Sequence, residues 1–133
     1  MAAPRKVPAK KVPKAPATRV FKSATFSRAA RKAGIPDKEL CEAAAELTSR
    51  LGDNLGGVWK KRLRNGDYRS IVFEKVGVWW IFVHLFDKQD EKNISDDALL
   101  GFKRLAKDFR ALPQAKFDVL VSAGKLLEIC KNG

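Results

Sequence analysis

The chain of 133 residues is poor in metal-binding and redox side chains, with one histidine and two cysteines. Their spacing matches no pattern of zinc ligands, which excludes a His/Cys zinc centre. We interpret Cys41 and Cys130 as reduced core thiols of a cytosolic protein. No stretch approaches the roughly 20 apolar residues of a membrane span, and the basic N-terminus lacks the apolar segment of a secretory signal. The sequence therefore predicts a cytoplasmic protein that needs no cofactor.

Acidic residues are missing from positions 1–36, which hold ten of the 27 Lys and Arg. Within them, residues 1–17 consist almost wholly of Ala, Pro, Lys, Arg and Val, which predicts a disordered tail. This tail is either a solvated leader or a nonspecific nucleic-acid anchor. We predict one folded domain over residues 18–133. That domain is nearly neutral except at residues 60–69, which carry five cations and a single acid, Asp67.

The positive charge of the domain follows the motif LGGVWKKR, Leu55 to Arg62. The glycine pair ends the preceding element, and the next residues predict a strand, whose side chains alternate between two faces. Lys60, Arg62 and Arg64 then share one face with Val58. The other face carries Trp59, Lys61 and Leu63. A row of like charges on one strand face is unfavourable, so the pattern indicates a polyanionic ligand such as nucleic-acid phosphate.

Strand patterns fill much of the remaining domain. A short Asn65–Gly66 turn and a second short connection join three of them, which predicts an antiparallel meander. The predicted strands are Thr18–Phe26, Val58–Arg64, Tyr68–Lys75, Val78–Phe86 and Leu126–Cys130.

Helical spacing of apolar residues predicts the other elements. A short basic helix begins at Ser27 as N-cap and stops at Gly34. A second helix begins at Pro36 and ends at Gly52. Its apolar stripe is Leu40, Ala43, Ala44, Leu47 and Leu51. A third begins at Ser95 and ends at Pro113, and a short helix runs to Ala123. The stripe of the third helix is Leu99, Phe102, Leu105, Ala106, Phe109 and Leu112, with Lys103, Arg104, Lys107 and Arg110 facing outward.

Three segments resemble the RelE-type toxins of bacterial toxin–antitoxin modules, in particular their HigB-like branch. They are DNLGGVWKKRLR (Asp53–Arg64), DYRS (Asp67–Ser70) and FVHLFDKQDEKNIS (Phe82–Ser95). The resemblance covers roughly residues 18–130. It implies an α+β fold in which two N-terminal helices and a later helix pack on an antiparallel twisted sheet. That sheet would hold an N-terminal strand, the three-stranded meander and a short C-terminal strand.

The resemblance also implies a function. Proteins of this family are cytoplasmic bacterial endoribonucleases that cut messenger RNA on the ribosome and inhibit translation. Such an activity implies a cognate antitoxin, which in the HigB-like branch is typically a helix-turn-helix DNA-binding protein.

Cleavage of this kind uses the 2′-hydroxyl of the RNA as nucleophile and needs charge stabilisation and proton transfer. The resemblance places catalytic cations at Lys60, Arg62, Arg69 and Lys88. In our hypothesis Arg62 and Arg69 clamp the scissile phosphate. Lys60 is the base or an electrostatic activator, and Lys88 is an acid or a phosphate ligand.

Three more residues are candidates for RNA binding. Arg64 would extend the cation row. Tyr68, the only tyrosine of the chain, would either stack on a base or cover the edge of the core. His84 is either a hydrogen-bonded core residue or an acid–base group, and it stands where relatives usually carry tyrosine. The side chains of Trp59, Trp79 and Trp80 are expected in the core, and Asp67 and Asp87 are expected to hold neighbouring cations in place.

Two other functions remain open. A ParE-like poison of DNA gyrase would share the fold but lack the catalytic cation cluster. A plain nucleic-acid-binding protein would bind without cleaving, and its affinity would fall steeply with salt. Fold alone does not choose among these functions.

Overall fold

The computed structural model describes residues 18–75, 79–93 and 95–130, with the backbone alone for residues 91–93. The predicted tail 1–17 and the predicted strand start at Val78 lie outside these ranges. The strands are β1 (Arg19–Ser23), β2 (Asp53–Asn54), β3 (Val58–Leu63), β4 (Tyr68–Lys75), β5 (Trp79–Asp87) and β6 (Leu126–Ile129). The helices are α1 (Ala24–Ala33), α2 (Asp37–Thr48), α3 (Asp96–Ala111) and α4 (Gln114–Ser122), with 3₁₀ turns at Arg64–Gly66 and Lys88–Asn93.

The six strands form one sheet in the order β2-β3-β4-β5-β1-β6. The antiparallel meander β3-β4-β5 is present as predicted. The sheet is mixed because β1 lies parallel to β5, a pairing that the expected antiparallel sheet did not include. The predicted α+β class, with helices packed on a sheet, is confirmed.

Each face of the sheet is covered by two helices. Trp59, Leu63 and Trp80 pack with residues of α1 and α2, so we call this side the α1–α2 face. Val58 and Ile71 pack in a second core with residues of α3 and α4, which is the α3–α4 face. The period-two alternation of β3 thus sends successive side chains to different cores. The core positions predicted for Trp59 and Trp80 are confirmed, since both side chains are buried, while Trp79 is half-buried.

Two helix boundaries differ from those predicted. The N-cap of α1 is Ser23, whose Oγ accepts a 3.0 Å hydrogen bond from the Phe26 backbone nitrogen, so the predicted cap at Ser27 is wrong. The predicted stop at Gly34 is confirmed. Helix α2 ends at Thr48 and not at Gly52, because Arg50 adopts a left-handed conformation that turns the chain early. Leu51 is consequently 57% exposed and does not belong to the apolar stripe.

The apolar stripe of α3 is narrower than its sequence indicated. Ala106 is fully buried, and Phe102, Phe109 and Leu112 are half-buried, whereas Leu105 is 45% exposed. The helix therefore lies at the margin of the core, where it leaves the cation-bearing end of β3 accessible.

The two cysteines form a disulfide, so the predicted pair of reduced core thiols is wrong. Cys41 lies on α2 and Cys130 follows β6, and their Cα atoms are 5.7 Å apart, within the range that a disulfide spans. They meet because β6 pairs with β1 at the edge of the sheet, beside the helix that carries Cys41. This bond removes the argument for a cytosolic protein that rested on reduced thiols.

Candidate functional site

The glycine pair Gly56–Gly57 positions the start of β3. Both residues have positive φ, at 90° and 89°, which favours glycine. The Gly57 carbonyl accepts a 3.2 Å hydrogen bond from Nη1 of Arg110 on α3. A Cβ atom on Gly57 would lie 2.9 Å from that nitrogen, so the end of the Arg110 side chain would have to move. Sequence reasoning missed this contact, because it placed Arg110 on the outward face of α3 and the two residues are 53 positions apart.

The register of the β3–β4 hairpin brings three candidate cations together. Lys60 lies opposite Ile71, and Arg62 lies directly opposite Arg69. Residues directly opposite each other in an antiparallel pair share a face, with Cβ atoms about 4.5–5.5 Å apart. The side chains of Lys60, Arg62 and Arg69 therefore project from the α3–α4 face, as the alternation of β3 predicted for the first two.

The two arginines differ in how firmly they are held. The side chain of Arg69 is 9% exposed, and its Nη1 donates hydrogen bonds to the carbonyl oxygens of Gly66 and Tyr68. The turn between the strands thus fixes the guanidinium of Arg69 at the sheet surface. Arg62 is exposed to solvent. A fixed guanidinium directly across from an exposed one on the same sheet face suits an anion that contacts both.

Strand β5 adds His84 to the same face. Its register places His84 opposite Ile71 and Phe86 opposite Arg69. The imidazole is half-buried between Phe86 and Phe102 of α3, with ring centroids 5.7 and 5.4 Å away. Desolvation by this burial lowers the pKa of His84 and favours the neutral ring at pH 7. His84 is therefore packed among aromatic rings and lies on the face that carries the cations.

Lys88 lies at the same end of the sheet. It is exposed and begins the 3₁₀ turn after β5, and its backbone nitrogen donates a 2.9 Å hydrogen bond to the Asp67 carbonyl oxygen. This bond ties Lys88 to the β3–β4 turn, beside the strand ends that carry Arg62 and Arg69. The carboxylate of Asp87 accepts a hydrogen bond from the Asp90 backbone nitrogen, so it orders this turn.

Arg64 and Tyr68 do not join this group. Arg64 has a φ of 53°, which ends β3 and turns the chain. Its backbone nitrogen and its Nε contact the carboxylate of Glu39 on α2, at 2.6 and 3.3 Å. The prediction that Arg64 shares a face with Lys60 and Arg62 is therefore wrong. Tyr68 is half-buried and packs against the core of the α1–α2 face, so it covers the core edge.

Lys61 lies on the α1–α2 face, as the alternation predicted. Its Nζ pairs with a carboxylate oxygen of Glu46 at 2.6 Å and donates a 3.0 Å hydrogen bond to the Leu51 carbonyl oxygen. The cations of strand β3 thus lie on two faces of the sheet with different contacts. Lys61 joins the strand to α2, whereas Lys60 and Arg62 face the other side.

Neither a metal nor a membrane is indicated by the described ranges. Across residues 18–75, 79–93 and 95–130, no group of three or more His, Cys, Asp or Glu side chains could hold a metal ion. In the same ranges, no helix is long and apolar enough to cross a bilayer.

A comparison with protein families matches most of the chain. The model described as the RelE toxin of the RelE/RelB toxin–antitoxin system matches residues 18–129. Neither the curated proteins nor the solved structures give a match.

Proposed function

The chain belongs to the RelE family of toxins from toxin–antitoxin systems, and on that basis we propose that it is an endoribonuclease that cleaves messenger RNA on the ribosome and thereby inhibits translation. The observation that carries this proposal is the register that sets Arg62 directly opposite Arg69, with Lys60 on the same face. Cationic side chains bind a phosphodiester and stabilise the negative charge that grows on it, and two forked guanidinium groups suit the phosphoryl oxygens.

The proposed reaction is an intramolecular transesterification of RNA. The 2′-oxygen attacks the neighbouring phosphorus, the bond from phosphorus to the 5′-oxygen breaks, and a 2′,3′-cyclic phosphate forms. One proton leaves the 2′-hydroxyl, and one is delivered to the departing 5′-oxygen. Negative charge grows on the non-bridging oxygens, where Arg62 and Arg69 stabilise it.

Proton transfer falls to the remaining cations of the site. Lys60 lies two residue pairs before Arg62 on β3, and we assign it the role of base or electrostatic activator. Lys88 lies beside the β3–β4 turn, and we assign it the role of acid or phosphate ligand. His84 would contact the RNA from the same face. Arg64 and Tyr68 lie elsewhere, and we leave them out of the proposed site.

A toxin of this family implies a cognate antitoxin that restrains it. We propose that the antitoxin is a helix-turn-helix DNA-binding protein, as the HigB-like segments indicate. Its restraining contact would cover or neutralise the exposed side chain of Arg62. An acidic segment on that partner would match the charge of this face.

The test compares Arg62→Gln and Arg69→Gln with Lys61→Gln, a matched control on the opposite face of the same strand. Removing one charge-stabilising donor costs about 2.7–4 kcal/mol, or about 10²–10³ in rate. We expect each arginine variant to lose that factor in cleavage of messenger RNA during translation in vitro, mapped as new 5′ ends, while Lys61→Gln cleaves like the parent protein.

Full cleavage by both arginine variants contradicts the assignment. The alternative functions have different outcomes in the same set of proteins. DNA breaks that depend on gyrase, without RNA cuts, would identify a gyrase poison. Salt-sensitive RNA or DNA binding without cuts would identify a binding protein.

A further inference from the structure

A small groove opens on the α3–α4 face beside the proposed phosphate clamp. Its floor is formed by Ile71 and Phe86, which are 1% and 7% exposed. Leu55 and Leu99 form its walls. The groove holds about 180 Å³, the volume of about six water molecules. Its size and apolar floor suit a single flat ring system.

The register connects this groove to the cations. Phe86 lies directly opposite Arg69, and Ile71 lies directly opposite Lys60. Neighbouring strands are about 4.8 Å apart. The groove therefore lies one strand away from a phosphate held by Arg69. The base of the same nucleotide can reach the groove over that distance. The π-face of an unpaired base packs well on aromatic and apolar side chains.

Among the described residues that line the groove, the one with a carboxylate is Asp96, in the first turn of α3. The adjacent Ser95 also lines the groove, but its Oγ accepts a 3.0 Å hydrogen bond from the Ala98 backbone nitrogen and caps the helix. A carboxylate beside a phosphate-binding face repels RNA unless it accepts hydrogen bonds from it. Asp97 serves the start of the helix as well as Asp96 does, and it does not line the groove.

We propose that this groove binds the base next to the scissile phosphate and that Asp96 reads its Watson–Crick edge, with a preference for guanine. This proposal rests on the proposed function. A carboxylate only accepts hydrogen bonds. Guanine offers it two adjacent donors, the N1–H and the N2 amino group. Adenine and cytosine offer one amino group, and uracil offers one N–H between two carbonyl oxygens.

The test measures binding apart from cleavage. Four short RNAs, identical except for one central base and blocked against cleavage by 2′-O-methyl groups, are titrated by fluorescence anisotropy at fixed salt. A bidentate contact to a base edge discriminates by about tenfold or more. We expect guanine to bind about tenfold more tightly than uracil. Asp96→Asn should abolish this difference, and Asp97→Asn should keep it.

The proposed subsite is refuted if the four RNAs bind with equal affinity. It is also refuted if Asp96→Asn and Asp97→Asn lose the discrimination between bases to the same extent. Cleavage of messenger RNA is scored separately, during translation in vitro. Discrimination that depends on Asp96 without any cleavage supports the subsite and rejects the ribonuclease. Cleavage with no dependence on the neighbouring base rejects the subsite and keeps the ribonuclease.

Discussion

Breaking the Cys41–Cys130 disulfide should remove a large part of the stability of this protein. The bond joins α2 to the end of β6 across a sequence separation of 89 residues. The chain-entropy relation for a loop of that length gives about 4.6 kcal/mol at 25 °C. Domains of this size are typically stable by about 5–15 kcal/mol, so the reduced protein should unfold at much lower denaturant concentration.

The assay is urea unfolding with and without a thiol reductant, for the parent protein and for a Cys41→Ser/Cys130→Ser variant. We expect the reductant to lower the midpoint of the parent protein to that of the double variant, and to leave the double variant unchanged. Thiol counting on the denatured, unreduced protein should find no free thiol. The reasoning would be refuted by two free thiols in the denatured protein. It would also be refuted if the reductant left the urea midpoint of the parent protein unchanged.

Three further predictions concern packing and protonation within the folded domain. Gly57→Ala should lower the free energy of unfolding by about 1–3 kcal/mol, because residue 57 has a φ of 89° and the added Cβ would meet Arg110. A second substitution in the same chain, Arg110→Ala, should recover part of this lost stability. Lys75→Met should cost about 1–3 kcal/mol in chemical unfolding, because buried Nζ donates to the carbonyl oxygens of three residues at the end of α3; Lys107→Met on the exposed side of that helix is the control. The pKa of His84 is lowered in the folded protein, so the unfolded chain binds a proton at this histidine first as the pH falls. The free energy of unfolding should therefore decrease as the pH drops through about 6.5. In unfolding curves measured between pH 7.5 and 5, His84→Gln should reduce this pH dependence.

The sequence predicted the cation face of β3 because strand alternation is a local rule. Lys60 and Arg62 are two residues apart within one regular strand, so their common face needs no knowledge of the rest of the chain. Arg64 obeys the same spacing, yet the alternation ends before it, where the left-handed backbone of the turn begins. The error arose at the strand boundary, which is the part of a strand that local patterns define least well.

Contacts between distant residues could not be predicted in this way. The parallel β1–β5 pair joins segments about 60 positions apart, and the disulfide joins residues separated by 89. The hydrogen bond from Arg110 to Gly57 likewise depends on where α3 crosses the start of β3. Each follows from the packing of the whole domain, and no periodicity within either segment encodes the partner.

The placement of Arg62 argues for a ligand more strongly than the number of cations does. Its neighbours Lys61 and Arg64 each pair with a glutamate of α2, so this chain supplies carboxylates where cations need them for stability. In the part of the chain that the structure describes, no carboxylate pairs with Arg62, and it stands directly opposite Arg69, where a like charge is destabilising. Selection for stability alone favours an acidic or neutral side chain at that position. A polyanion bound between the two guanidinium groups would turn the same repulsion into affinity, and the scissile phosphodiester of the proposed reaction is such a ligand.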